Sequence, residues 1–411
     1  MTPVTLCRLC AGETVHLLSD FGPQPLCNRF LEKPDEVEYC HPLRVGFCRR
    51  CAAVQLVDPA PAAEVRPRFP WITYTEMEGH LDSLVDRLIQ RSVLTAEAVV
   101  GGLTFKDDST LRRFQERGFT HTWRLHPAED LGITEAGAGL ETIQDRLAPA
   151  TAKAIARRLG PCDLLLVRHM LEHVHDVGRF LLTLQELVKP GGHLVFEVPD
   201  QERALAKMDY STLWEEHTLY FTPVTFHDSF LKRYGTPVDV VSFPYFLENS
   251  LVGVVRNQPG LAPSFPAGGD LDREESRTAE FARGVGPRKD FLRRILTDAR
   301  REKGKIALLG AGHLSCAFVN LLGLQDLFDC VVDDNPRKQG LSMPGSHLPI
   351  ASSSALTEHD IRLCLLSVNP DSEQRAIDKN RRFIDSGGCF ASIFPDSAYA
   401  LKDKEAPRAR R

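Results

Sequence analysis

The chain has 411 residues, with 50 Lys and Arg against 55 Asp and Glu for a formal net charge of −5, 43% hydrophobic residues and 26% charged ones. It is too long for one compact core and implies two or three domains, while its mild negative charge and lack of a long basic run set aside nucleic acid as a partner. No apolar segment approaches the ~20 residues needed to span a bilayer, and the opening "MTPVTLCRLC" lacks the layout of a secretory signal, so the expected compartment is the cytoplasm.

In that compartment the 11 cysteines are expected to be thiols or metal ligands rather than disulfides. The first ~65 residues hold six of them with several prolines and little helical periodicity. Cys7-Arg8-Leu9-Cys10 and Cys48-Arg49-Arg50-Cys51 are two CxxC knuckles. A two-residue gap lets one turn present two thiolates, and two such turns complete a tetrahedral zinc site with no open position. Cys27 and Cys40 stand alone and read as packing residues.

From about Trp71 the pattern changes. "EMEGHLDSLVDRLIQRSVL" has apolar residues at helical spacing. Beyond it, helices alternate with the short apolar runs "AEAVV", "HTWRL", "GLETI", "CDLLLVRH" and "GGHLVFEVP", which predicts a parallel sheet flanked by helices. Ligands of such sheets bind beyond the carboxyl ends of the strands, where Arg168 and His169 stand. Glu172 and His173 follow as candidates for cofactor contact or helix-start packing, and Pro190-Gly191-Gly192 forms a tight turn. "RNQPGLAPSFPAGGDLDREE" reads as a linker, "RKDFLRRILTDARREKG" as a helix, and "KDKEAPRARR" as a disordered tail. After the helix, "KIALLGAGHLSCAFVNLLG" opens a second strand–glycine turn–helix unit, with later strands at "DCVVDDN", "IRLCLLSVN" and "CFASIFP".

The stretch "CDLLLVRHMLEHVHDVGRFLLTLQELVKPGGHLVFEVPD" resembles the second half of class I S-adenosylmethionine-dependent methyltransferases. With the cysteine knuckles before it and "GKIALLGAGHLSCAFVNLLGL" after it, the chain looks like the three-domain sugar C-methyltransferase family. The motif that ties it there is Tyr210-Ser-Thr-Leu-Trp214-Glu215-Glu216-His217-Thr-Leu-Tyr220-Phe221. The resemblance implies an α/β chain: a small zinc-binding N-terminal domain over 1–65, a Rossmann-like methyltransferase core over 66–256, a linker and connecting helix over 257–300, a second C-terminal Rossmann-like α/β domain over 301–400, and a tail over 401–411. It implies S-adenosylmethionine and structural zinc as cofactors, and a nucleotide-linked keto-deoxysugar as the small-molecule partner, with neither nucleic acid nor membrane. His217 is then the base that makes a carbon beside a ketone nucleophilic, since imidazole titrates near neutral pH. Glu216 supports it, Tyr210 or Tyr220 donates to the enolate oxygen, and Tyr74, with His80 near it, lies where the family places another active-site tyrosine.

Two features depart from the family. Its cofactor loop follows a Glu-x-Gly-x-Asn-Asp-Gly pattern, whereas "GGLTFKDDSTL" puts Leu103 at the acid, Phe105 and Ser109 at the glycines, and Asp107 and Asp108 at Asn-Asp. The carboxylates suit a cationic ligand; Phe105 crowds it, and Lys106 or Arg124 could pair with the aspartates. At the end of the next strand, where an acid normally holds the ribose, the chain has His126, with Glu129 and Asp130 later. In the C-terminal domain, the turn Gly310-Ala311-Gly312-His313 before a helix suits a phosphate, and Asp333-Asp334-Asn335 ends the next strand. Asp334 with the turn residues is the expected substrate-binding set. Two other readings stay open on these residues: a sugar-nucleotide-binding protein without a methyl donor, and an isomerase or epimerase that uses Glu216 and His217 alone.

Overall fold

The structure, a computed structural model, describes residues 5–12, 15–72, 76–135, 139–258 and 265–401. Tyr74 and the tail beyond residue 401 lie outside them. The chain divides into two compact units: Met1–Asp20, Leu43–Arg203 and Glu215–Ala279 in the first, and Phe21–Pro42, Ala204–Trp214 and Glu280–Arg411 in the second.

In the first unit, six strands form a sheet in the order Thr122–Arg124, Val100–Gly102, Cys162–Arg168, Val188–Asp200, Asn249–Asn257 and Gly235–Phe243. The four on the first side are parallel. Strand Cys162–Arg168 is covered on both faces, so its Leu-Leu-Leu-Val run is wholly buried. The sheet is mixed rather than all parallel, because Gly235–Phe243 and Asn249–Asn257 form an antiparallel hairpin at its edge. Residues 244–248 are too few for the crossover that parallel neighbours need. Gly253 on that hairpin admits Phe226 and Leu231, since a Cβ there would meet their side chains at 2.6 and 2.5 Å.

"GLETI", expected as a strand, is the start of helix Leu140–Arg146. Its apolar residues Leu140, Ile143 and Leu147 recur at helical spacing once the window extends past the pentapeptide, and all three are buried. The linker reading ran too far: "DLDREE" belongs to helix Gly269–Lys303. Among the described residues no helix is long and apolar enough to cross a membrane.

The second unit holds a five-stranded parallel sheet in the order Ile350–Ala351, Cys330–Val332, Lys305–Leu309, Ile361–Leu366 and Cys389–Ser392. Four of these strands match predicted runs. Ile350–Ala351 is too short to leave a period in the sequence.

Candidate active site and metal centre

The sulfurs of Cys7, Cys10, Cys48 and Cys51 lie within 4.8 Å of one another and all four residues are buried. Cys7 and Cys51 Sγ are 3.5 Å apart, and Cys10 and Cys48 Sγ 3.7 Å. Four thiolates about 2.3 Å from a tetrahedral zinc would sit about 3.8 Å apart, so the donor set fits that ion. Gln55 Nε2 donates to Cys7 Sγ at 3.1 Å. All four positions come from protein, so the metal folds this segment and takes no part in chemistry. Cys27 is buried and accepts from Trp214 Nε1 at 2.8 Å, whereas Cys40, expected as a packing residue, is exposed.

The knuckle segment leads directly to the Glu-His motif. Strand Val54–Leu56 pairs on one side with Cys40–Phe47 and on the other with Leu219–Tyr220, where Val54 faces Tyr220. Leu56 N–H donates to the Thr218 carbonyl at 3.1 Å, and Thr218 N–H donates to the Glu172 carbonyl at 2.7 Å. The motif is thus threaded between the zinc segment and the turn after strand Cys162–Arg168. Glu216, His217 and Tyr220 are all buried. The His217 and Tyr220 rings lie 6.1 Å apart, and His173 meets His217 edge-on at 4.7 Å. His173 Nδ1–H donates to the Glu216 carbonyl at 3.1 Å. Burial, then the neighbouring His217 ring and the charges of Lys106 and His169, holds His173 well below the usual imidazole range, so it is neutral.

Beside this pair, at the carboxyl ends of the central strands, is a buried ionic network. Glu197 accepts from Arg168 Nε, from Ser250 Oγ at 2.7 Å and from His169 Nε2 at 3.2 Å. His80 Nε2 approaches Glu197 at 3.0 Å while its Nδ1 accepts from the Tyr245 hydroxyl at 2.7 Å, so His80 is a network residue. His169 Nδ1 is 3.4 Å from Glu172 and 3.7 Å from Glu76, which also pairs with Lys106. Burial works to lower the His169 pKa, but the carboxylates of Glu76, Glu172 and Glu197 push it up to about 10. Burial likewise opposes ionisation of Glu76, yet the charges of His169 and Lys106 hold it at about 2.

The cofactor loop is organised from within. Asp107 is fully buried, and its carboxylate accepts from the backbone N–H groups of Leu103, Thr104 and Arg168 at 2.8, 2.9 and 3.2 Å. It holds the loop to the strand end. Asp108 is half exposed and pairs with Arg124 at 2.6 Å. Phe105 is 52% exposed, so it neither plugs the site nor enters the core. His126 is exposed and caps helix Pro127–Leu131, its Nδ1 accepting from Glu129 N–H. Arg168 Nη1 donates to the Lys106 carbonyl, while Nη2, also buried, has no hydrogen-bond partner among the described residues. That donor at the base of the loop suits the carboxylate of the methionine end of S-adenosylmethionine, and the open crest at Phe105 leaves the loop accessible.

Tyr210 belongs to the second unit, and its hydroxyl donates to the Phe281 carbonyl at 2.7 Å. Its proton is therefore engaged within that unit. In the glycine turn, Gly310, Ala311 and Gly312 N–H donate to the Val332 carbonyl, Asp333 Oδ2 and Ser315 Oγ. None of the three is left for a phosphate. Gly310 has φ 111°, and a Cβ there would meet Val368 at 2.9 Å. His313 stacks on Trp214 with centroids 4.4 Å apart, and Asp334 pairs with Lys379 at 2.7 Å.

Glu76, Glu197, Ser250 and Tyr245 went unrecognised in the sequence. Glu197 alone left a signal: one acid inside the apolar run "HLVFEVP" must have partners, because a buried charge without them is prohibitively costly.

Family models match the chain in three segments: a zinc binding domain over residues 7–65, a methyltransferase domain over 46–236 and a C-methyltransferase C-terminal domain over 271–395. The C-methyltransferase NovU of Streptomyces niveus is 26% identical over 413 residues, 96% of either chain. A ubiquinone biosynthesis O-methyltransferase of Caulobacter vibrioides is 38% identical over 96 residues, 23% of this chain and 36% of that one. The solved structure of the N-methyltransferase NodS of Bradyrhizobium japonicum is 14% identical, with a TM-score of 0.25, covering 44% of this chain and 98% of that one. With the four-cysteine centre, the mixed sheet and all three domains in one polypeptide, the chain belongs to the S-adenosylmethionine-dependent, three-domain C-methyltransferases.

Proposed function

We propose that the chain methylates a carbon adjacent to the ketone of a nucleotide-linked deoxysugar, with His217 as the base. The observation that carries this reading is the buried placement of His217 between Tyr220 and neutral His173, on a segment pinned by the zinc-binding strand. His217 takes the proton from the carbon beside the ketone, and the electron pair of that C–H bond delocalises onto the carbonyl oxygen. Glu216, the residue before the base, supports the imidazolium that forms. Tyr220, whose ring flanks the base, is the remaining phenol of the motif for the enolate oxygen. Bound S-adenosylmethionine would supply an electrophilic methyl group, its S–CH₃ bond breaking to leave a neutral thioether as the new carbon–carbon bond forms. Arg168 Nη2 would hold the carboxylate end of that molecule. Gly310, Gly312, His313 and Asp334 remain the candidate nucleotide-contacting set, with only His313 and Asp334 offering side chains, since the N–H groups of the turn are engaged.

The test uses candidate nucleotide-linked keto-deoxysugars, with solvent-deuterium exchange at the carbon as the readout for the base. His217→Ala is expected to slow exchange and methylation together by roughly 10²–10⁴-fold, with Glu216→Gln impaired less. Exchange at the wild-type rate in His217→Ala would remove that residue from the mechanism. Calorimetric titration with S-adenosylmethionine should show binding that Arg168→Lys weakens, and undiminished binding in that variant would reassign the carboxylate contact.

A further inference from the structure

One oxygen of Glu172, Oε2, has no hydrogen-bond partner among the described residues although the residue is 2% exposed. The ionic network uses only the other oxygen, which faces His169 Nδ1 at 3.4 Å. A ligand atom of Glu172, one of His173 and one of His217 lie within 4.8 Å of one another, and all three residues are buried. His173 donates its Nδ1–H to the Glu216 carbonyl. We propose that Glu172, His173 and His217 form a second metal site, distinct from the cysteine centre, that takes a borderline divalent transition ion such as Zn²⁺ or Co²⁺.

The donor set chooses the ion. Two imidazoles and one carboxylate suit zinc, cobalt, nickel or ferrous iron, whereas calcium and magnesium call for more oxygens. Three protein ligands leave at least one position open, unlike the closed cysteine centre. The ligands are also held from behind. A metal-bound histidine normally passes its other N–H to a carbonyl or carboxylate, which fixes ring and tautomer, and the Glu216 carbonyl does this for His173. Thr218 N–H on the Glu172 carbonyl ties the two contributing segments together, and Glu172 and His173 share the turn Leu171–His173. Bonds of about 2.1 Å at tetrahedral angles put donors about 3.4 Å apart, so closure requires only small side-chain movements. The nearby cations Lys106 and His169 already face carboxylates of Glu76 and Glu197, which limits their repulsion of the ion. What the ion does to turnover rests on the proposed role of His217. A ring nitrogen bound to metal has no lone pair for a proton, so the ion and the base reaction exclude each other and the metal inhibits.

The experiment is titration of the full-length protein, with its cysteine-bound zinc in place, by Co²⁺ alone. Calorimetry gives the stoichiometry, and visible absorption shows whether thiolate ligates the added ion. Wild type is expected to bind one Co²⁺ per chain without a thiolate charge-transfer band. Glu172→Gln and His173→Gln should each weaken that binding by roughly tenfold or more, with zinc content and thermal unfolding as in wild type. If Glu172→Gln fails to fold, His173→Gln carries the test. No Co²⁺ binding by wild type, or undiminished binding in the folded variants, overturns the site. Binding that leaves methylation uninhibited keeps the site and overturns the base assignment instead, so the two readings fail separately.

Discussion

Asp107 shows how one side chain can take over the work of a missing glycine pattern. Three backbone N–H groups converge on its carboxylate, and the loop 103–107 closes around it instead of around glycine-mediated contacts. Burial raises its pKa to about 6, against the opposing pull of the N–H groups and Arg168. Asp107→Asn keeps the shape but turns an NH₂ towards N–H donors. It is expected to lower unfolding free energy by about 2–3 kcal/mol, the range for a lost hydrogen bond to a charged group, with or without S-adenosylmethionine. Asp108→Asn removes a half-exposed pair with Arg124 and should cost less than about 1 kcal/mol. Urea unfolding of both variants is the check. Wild-type stability in Asp107→Asn together with lost cofactor binding would return Asp107 to a ligand role.

At the level of elements, the second unit contains a histidine whose contacts demand a charge. His347 Nδ1 faces the Pro34 carbonyl at 2.6 Å and Nε2 faces Glu38 at 2.9 Å. Both partners only accept, so both ring nitrogens must carry protons. The carbonyl contact, opposed by burial and aided by Glu38, raises the His347 pKa above its ordinary value. A group raised on folding stabilises fully below its unfolded pKa near 6.5, and that contribution is lost as pH rises through the folded value. Because the pair is part-exposed, the expected loss is about 0.5–1 kcal/mol. Comparing urea midpoints of wild type and His347→Gln at about pH 5.5 and about pH 8.5 tests it. The variant should be less stable only at the lower pH; an equal deficit at both would refute a charged His347. Elements with a long period were legible: helix Leu81–Arg91 and strand Cys162–Arg168 lie within the predicted runs. "GLETI" misled because five residues hold less than two helical turns, and the hairpin Gly235–Asn257 was missed because its strands are only part of a pattern that closes across the sheet.

For the molecule as a whole, the zinc centre and the reaction site are linked through one strand. Val54–Leu56 follows Cys51 closely and carries the pairing that positions Leu219–Tyr220, next to His217. Removing the metal, by chelation or by Cys48→Ser, is therefore expected to open the first ~65 residues to limited proteolysis and to abolish methylation, although no cysteine touches substrate. Zinc re-addition to the chelated protein should restore both properties. Full activity in zinc-free protein would break the proposed link.

The primary sequence determined the cysteine knuckles, the alternation that builds two α/β units and the Glu216-His217-x-x-Tyr220 motif, because each depends on spacing between near neighbours along the chain. Tertiary structure decided the rest. Arg168, Glu197, His80 and Ser250 are distant in sequence, and only the sheet brings them around one carboxylate. Likewise Glu172 and His173 meet His217 across more than forty residues, through hydrogen bonds to the backbone of the motif. Tyr210 stands in the same motif as His217, yet its hydroxyl is turned to Phe281. A motif fixes which side chains are near in the chain; burial and the acceptors within reach fix which of them remain available for chemistry.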